Sequence, residues 1–242
     1  MKRTILALIA VAMLVSCNKE DHGDANLHLT GNIKGLKKGT LYIQKVVDTS
    51  LVAIDTIVIN GKSTFESYLK IDSPEMLYLF LDRGQTNSVD KSLPFFAEPG
   101  EMRIETSNEE FFHRAKITGS ENQKLYEEFE KIKAKFTSDN LDLVAKNLEA
   151  TKNSNVKQLD SIAAKSEQLI KRRYLYTANF ALNHAKNEIG PYLALSEIAD
   201  INIKYLDTIQ KSMSPKVAKS LYGKMLTKYL AERKSAETAE VK

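Results

Sequence analysis

The stretch that decides the fold is "LVAIDTIVINGKSTF", residues 51–65. Its first nine residues are rich in β-branched side chains, which are typical of strands. Asn60-Gly61 follows, and because both residues tolerate positive φ, this dipeptide is the strongest short-range signal for a β-hairpin. The pattern therefore predicts a hairpin whose return strand covers 63–71.

The β-like pattern extends outward from this stretch in both directions. Short apolar or alternating segments, separated by glycine and proline, run from residue 27 to residue 117. They include the continuous apolar run 76–81 and a final candidate strand over 111–117. Strands of this length and spacing predict a β-rich domain over 27–118, folded as a small antiparallel sandwich or barrel.

The hydrophobic period changes to that of a helix at Gly119. Ser120 followed by Gln123 is a capping-box pattern, which predicts a helix start, and apolar residues then recur every three or four positions. The later predicted helices cover 139–150, 154–186 and a last segment that begins at Ser214-Pro215.

The predicted fold class is therefore α+β. An N-terminal antiparallel β-sandwich-like domain over 27–118 is followed by a C-terminal α-helical region over 119–232. A polar tail over 233–242 ends the chain.

The first 16 residues have the layout of a secretory signal peptide. Two positive charges precede an apolar run of about a dozen residues, which is shorter than the ~20 that a membrane-spanning helix needs. Leu14, Ser16 and Cys17 then resemble the bacterial lipobox. That resemblance implies cleavage before Cys17, with a diacylglycerol on its thiol and an acyl chain on its amine, which together anchor the protein in a membrane.

A short charged segment, Lys19-Glu20-Asp21, follows the lipidation site. It resembles the lysine-plus-two-acids signal that sends some Bacteroidota lipoproteins to the outer face of the outer membrane. Residues 17–26 are predicted to form a solvated, flexible tether, and the alternative interpretation of the charged segment is that it is part of this tether without an address. We expect a lipid-anchored outer-membrane protein, with surface exposure favoured over a periplasm-facing orientation.

Charge and cysteine content exclude several classes of function. Removal of Lys2 and Arg3 with the signal leaves 33 basic residues from the original 35, against 31 acidic ones, so the formal charge falls from +4 to +2. That value argues against nucleic-acid binding, which needs a concentrated basic field. A single cysteine excludes an intramolecular disulfide, thiol redox chemistry and a cysteine-based metal site.

No residue pattern in the chain is typical of a catalytic, metal or cofactor site. The nucleophile elbow, the phosphate-binding loops and the metal-binding histidine pairs are missing from the sequence. We therefore expect no enzyme, no cofactor and no metal, and we expect surface or structural roles for the four histidines, His22, His28, His113 and His184.

Three further clusters have both a functional and a structural interpretation. Glu98, Glu101 and Glu105 either include a hydrolytic carboxylate pair or alternate along an exposed strand, and we favour the second. Successive residues of the basic run 171–173 lie about 100° apart around a helix, so they do not form one patch. In each of the pairs Phe95-Phe96 and Phe111-Phe112, one side chain points inward and the other outward. The outward ring either contacts a ligand, glycan or partner or is covered by the helical half, and we favour the second.

Several segments resemble a known family. "LTGNIKGLKKGTLYIQ", "IDTIVINGKSTFES", "FFAEPGEMRI" and "ITGSENQKL" follow the order of domain of unknown function 4369, a β-rich module of Bacteroidota lipoproteins. In that family a helical linker, which "SPKVAKSLYGKMLTKYL" resembles, commonly leads to a thioredoxin-like domain. Ser63 and Ser67 depart from the family pattern. The resemblance implies an envelope location and a binding or structural role, and we expect the thioredoxin module to be lacking.

Three functions are consistent with these features. The first is a non-catalytic binding or assembly protein of the outer membrane, with the membrane, envelope proteins or glycans as partners and no nucleic acid. The second is a carboxylate-based hydrolase of envelope or extracellular polymers. The third is an accessory that acts in trans with a thioredoxin-like protein. Two buried carboxylates in a deep pocket would favour the enzyme, whereas a broad exposed apolar or aromatic patch would favour partner binding.

Overall fold

The computed structural model describes residues 23–83 and 92–240 of the chain. The predicted signal peptide, the lipidation site Cys17 and the charged segment Lys19-Glu20-Asp21 lie outside the described residues. Within the described part, no helix has the length and apolar character needed to span a membrane.

The N-terminal half is a sandwich of two four-stranded sheets, ordered β4-β1-β7-β8 and β3-β2-β5-β6. Of the six strand pairings in the described part, five are antiparallel, and β1 pairs with β7 in parallel. This arrangement confirms the predicted N-terminal β domain. The strands are β1 (Leu27–Lys34), β2 (Lys38–Val47), β3 (Ser50–Asn60), β4 (Thr64–Leu69), β5 (Glu75–Asp82), β6 (Ser92–Ala97), β7 (Gly100–Ser107) and β8 (Lys116–Thr118).

The prediction of a β-hairpin at Asn60-Gly61 is wrong. Gly61 has a positive φ of 93°, so the turn forms, but it carries the chain from one sheet to the other: β3 pairs with β2, and β4 pairs with β1. Positive φ fixes the geometry of a turn and does not choose the strand partners, which depend on burial across the sandwich. The hairpin partner of β3 is β2, and Asp48, at φ 55°, lies in the turn between them.

The sandwich core is built from alternating side chains of both sheets, as the period-two pattern predicted. The final predicted strand is shorter than expected, because residues 111–114 form turns that place Phe111 in the core before β8 begins. Fully buried members of this core include Leu29, Ile33, Leu41, Ile43, Leu77, Leu79, Phe95 and Ile104.

Six helices follow the sandwich in the described part of the chain: α1 (Glu121–Lys152), α2 (Val156–Asn183), α3 (Ile189–Ser196), α4 (Ile203–Ser212), α5 (Pro215–Ala218) and α6 (Leu221–Glu240). Ser120 caps α1 by accepting the Gln123 N–H, as predicted. The separate helix predicted over 139–150 is instead part of α1, because no glycine or proline interrupts it. The last helix continues to Glu240, through most of the predicted polar tail.

The helices pack on the outer face of the second sheet. Phe95 and Phe96 are both fully buried, Phe95 in the sandwich core and Phe96 in the helical core. The Phe96 N–H donates to Gln123 Oε1 at 2.7 Å, so the first turn of α1 pairs with the edge of β6. The prediction that the helical half covers the outward phenylalanine is confirmed for Phe96 but is wrong for Phe112, which is 46% exposed.

Candidate functional site

The second sheet opens at the end where β2 and β5 separate. Their ladder ends at the pair Gln44–Tyr78, although β2 continues to Val47 and β5 begins at Glu75. The β2–β3 ladder shifts register between Ile43 and Gln44, and such a bulge bends and twists a strand pair. The tip of the β2–β3 hairpin therefore bends away from β5, while β2 and β3 remain paired with each other.

A cleft of about 550 Å³ lies between this opening and the helices. Three tyrosines line it, namely Tyr78 from β5, Tyr192 from α3 and Tyr222 from α6, and we call it the tyrosine cleft. The rings of Tyr192 and Tyr222 lie 5.0 Å apart, edge to face. The remaining lining residues are Val46, Asp48, Glu75, Met76, Leu195, Ser196, Leu221 and Met225.

The rim of the tyrosine cleft is apolar and exposed. Val46 is 53% exposed, Met225 is 48% exposed and Leu221 is 41% exposed. Val47, Leu51 and Val52 extend the exposed apolar surface along the hairpin tip. Exposed apolar side chains in such number around a concave site are typical of surfaces that bind a partner.

Burial holds the tyrosines of the cleft in their neutral form. Desolvation raises the pKa of Tyr78, Tyr192 and Tyr222 above the ordinary value of 10.0. The Tyr222 hydroxyl accepts the Met76 N–H at 2.8 Å. These rings therefore supply an apolar surface and neutral hydrogen-bonding groups.

Two carboxylates give the cleft an acidic character. Glu75 is half-buried, and desolvation raises its pKa, with Asp72 adding to the rise and Lys45 opposing it. Asp48 lies in the hairpin turn and also lines the cleft. The site therefore combines apolar walls with negative charge, which favours a ligand that is apolar and carries a basic group.

A second, polar cavity of about 520 Å³ lies where the sandwich meets the starts of several helices. Glu98 accepts the backbone N–H groups of Glu121 and Asn122 at 3.1 and 2.9 Å, so it caps α1. The Asn122 side-chain amide donates to Glu98 and also to Glu188. Glu188 is only 3% exposed, and its Oε1 has no hydrogen-bond partner among the described residues.

The acidic residues singled out in the sequence have separate structural roles. Glu98 caps α1, Glu101 bonds His28 at 2.6 Å, and Glu105 pairs with Arg103. They do not converge on one cleft. The helix start occupies the Glu98 carboxylate, and Asp72, Glu121 and Glu188 also line the polar cavity.

Of the four histidines, His22 lies outside the described residues, and His28, His113 and His184 lie at the surface or in structural contacts. His28 lies between Glu66 and Glu101 and stacks on Tyr68, with ring centroids 4.4 Å apart. His184 follows α2 and contacts the ring of Phe180. Across residues 23–83 and 92–240, no group of three or more histidine, cysteine, aspartate or glutamate side chains is arranged to hold a metal ion.

The sequence patterns did not identify the tyrosine cleft. Its aromatic residues come from β5, α3 and α6, which are far apart along the chain. The one local signal is the pair of apolar dipeptides Val46-Val47 and Leu51-Val52 on either side of a polar turn, which is unusual for an exposed hairpin tip.

The fold is an α+β arrangement in which a two-sheet sandwich is covered on one face by helices. Residues 27–126 match the family model of a domain of unknown function, DUF4369, so the predicted resemblance is confirmed for this part of the chain. The match covers the whole sandwich and the start of α1, but α3 and α6, which form one wall of the cleft, lie outside it. No curated protein and no solved structure matches the chain.

Proposed function

We propose that this protein is a lipid-anchored, non-catalytic envelope protein that binds a partner polypeptide in the tyrosine cleft. The observation that carries the proposal is the exposed apolar rim of Val46, Leu221 and Met225 around the neutral tyrosines. A polypeptide suits this site because it supplies apolar side chains for the walls and a lysine or arginine for Asp48 and Glu75.

The lipid anchor of the proposal rests on Leu14, Ser16 and Cys17. Cys17→Ser removes the thiol that would carry the lipid, so we expect the variant to leave the membrane fraction and become soluble. Continued fractionation with membranes would refute the anchor.

The proposed exposure on the outer face of the outer membrane rests on Lys19-Glu20-Asp21. If these residues are a surface address, protease added to intact cells cleaves the wild type, and replacement of all three by alanine protects the protein. Equal protection of both proteins, with cleavage only in lysed cells, would place the protein on the periplasmic side.

The alternatives have less support at this site. A carboxylate-based hydrolase needs two carboxylates that face each other across a substrate. Glu98 is occupied as a helix cap, and Asp48 and Glu75 of the tyrosine cleft lie among exposed apolar side chains, which favour partner binding. An accessory role beside a thioredoxin-like protein is a special case of the present proposal, in which that protein supplies the bound polypeptide.

The binding role is tested by site-specific photo-crosslinking in cells that express the lipidated chain. A photoreactive phenylalanine analogue at Met225 is compared with the same analogue at Leu148, which is also exposed but lies on α1 away from the cleft. We expect a protein adduct only from position 225, and we expect Leu221→Asp to abolish it. No adduct, equal adducts at both positions, or an adduct made only of glycan would contradict the proposal.

A further inference from the structure

The direction of backbone groups at the opening can be read from the strand register. In an antiparallel ladder, successive residues direct their N–H and C=O groups to opposite sides. Phe96 directs its N–H out of the sheet to Gln123, and Met76 is its partner across β5–β6. Met76 therefore directs its own N–H and C=O toward β2, and the bond from its N–H to the Tyr222 hydroxyl agrees with this.

Val46 is the residue that would face Met76 if the β2–β5 ladder continued. The last pair is Gln44–Tyr78, so two further positions bring Val46 opposite Met76. Across the hairpin Val46 pairs with Leu51, one position from the closing pair Val47–Ser50. In a hairpin with a two-residue loop the closing pair exchanges hydrogen bonds, so the next pair does not. The Val46 N–H and C=O therefore point away from β3, into the opening.

The Tyr222 hydroxyl accepts the Met76 N–H in place of a backbone carbonyl of β2, because the β2–β5 ladder ends before this position. The result is a short open edge of β2, made by Val46 between the last β5 pair at Gln44 and the hairpin turn, which borders an apolar cleft and lies beside exposed apolar side chains. Open strand edges of this kind bind extended chains by strand addition, in which backbone hydrogen bonds give affinity and alternate side chains give specificity.

We infer that the partner polypeptide binds as an added β-strand on the open edge of β2, with its backbone paired to Val46. This inference rests on the proposed function and specifies its mode. Alternate side chains of the added strand contact Tyr78, Tyr192 and the rim residues, whereas a lysine or arginine lies near Glu75. The partner segment is therefore extended, has apolar residues at every second position and carries at least one basic residue.

The probe that tests this inference is the heptapeptide Thr-Val-Lys-Val-Thr-Val-Thr, added to the chain without its signal and with Cys17→Ser. Its affinity is measured by fluorescence polarisation, and amide hydrogen exchange is followed by NMR. We expect the exchange of the Val46 N–H to slow by about tenfold or more, the effect of about one net hydrogen bond. The N–H of Val47, which already bonds to β3, serves as an internal reference and should change little.

A second peptide, N-methylated at its three valines, separates backbone pairing from side-chain contact. It keeps every side chain but loses three backbone donors, and we expect its affinity to fall by at least about tenfold. Equal affinity of the two peptides, or binding without protection of Val46, would overturn strand addition and leave the cleft as a binding site. Failure of the heptapeptide to bind, while crosslinking at position 225 succeeds, would also overturn it. Failure of the crosslinking itself would reject the proposed function.

Discussion

The closed and open ends of the sheet–helix interface use similar residues for different purposes. At the closed end, Phe96 is fully buried beneath Tyr192 and Tyr222, and its N–H is bonded by Gln123. At the open end, the same two tyrosines face a cleft whose rim residue Val46 is more than half exposed. The helical layer thus joins the two halves at one end and leaves at the other an exposed apolar cleft, which we propose is the binding surface.

The largest expected effect is at the closed end. Phe96→Ala removes a fully buried ring that contacts both tyrosines, so we expect the free energy of unfolding to fall by about 3–5 kcal/mol. Urea denaturation measures this, with Met225→Ala as a control that should remain within about 0.5 kcal/mol of the wild type. A loss below about 1 kcal/mol for Phe96→Ala would mean that the halves are not joined there.

The hydrogen bond between the halves gives the next effect. Gln123→Leu leaves the buried Phe96 N–H without an acceptor, which costs about 1–3 kcal/mol of stability. Gln168→Leu, at an exposed position on α2, is the matched control and should be nearly neutral. Equal unfolding midpoints for the two variants would argue against the bond.

Tyr222 contributes to both ends of the interface. Its ring contacts Phe96 at the closed end, and its hydroxyl accepts the Met76 N–H at the open end. Tyr222→Phe keeps the ring contact with Phe96 but leaves the Met76 N–H unpaired, so we expect a loss of about 1 kcal/mol in thermal or urea unfolding. A loss as large as that of Phe96→Ala would show instead that the hydroxyl organises the whole interface.

The smallest expected effect is the pH dependence contributed by Glu75. Burial raises its pKa in the folded protein, so the folded state binds the proton more tightly than the unfolded state does. This contribution to stability is fully present below the ordinary pKa of 4.5 and is lost as the pH rises through the folded pKa. Glu75→Gln should reduce the change of the free energy of unfolding with pH just above pH 4.5, as measured by urea denaturation at several pH values. An unchanged pH dependence would contradict the raised pKa of Glu75.

The sequence predicts well that the strands come first and the helices follow, because strands and helices each have their own local hydrophobic periodicity. The change at Gly119 and the cap at Ser120 lie where the pattern placed them. The partner of β3 was missed, since Asn60-Gly61 specifies a turn while strand pairing depends on contacts that are distant in sequence. The cleft was missed for a similar reason: Tyr78, Tyr192 and Tyr222 meet only through the packing of helices on a sheet.

The role of Glu98 illustrates the same limit. Beside Pro99-Gly100 it looked like one of several exposed acids, and only the fold brings it to the first turn of α1. A carboxylate at a helix start stabilises the helix dipole and bonds its free N–H groups. The acidic cluster therefore contains a structural cap that spacing alone did not distinguish.

The most direct test of the account is an NMR titration of the mature chain, carrying Cys17→Ser, with the heptapeptide. If the open end is the binding surface, chemical shifts change at Val46, Tyr78, Tyr192 and Met225, while Gln123 and the residues around Glu188 keep their positions. Shift changes centred on the polar cavity at Glu188, or no changes at the tyrosine cleft, would contradict it.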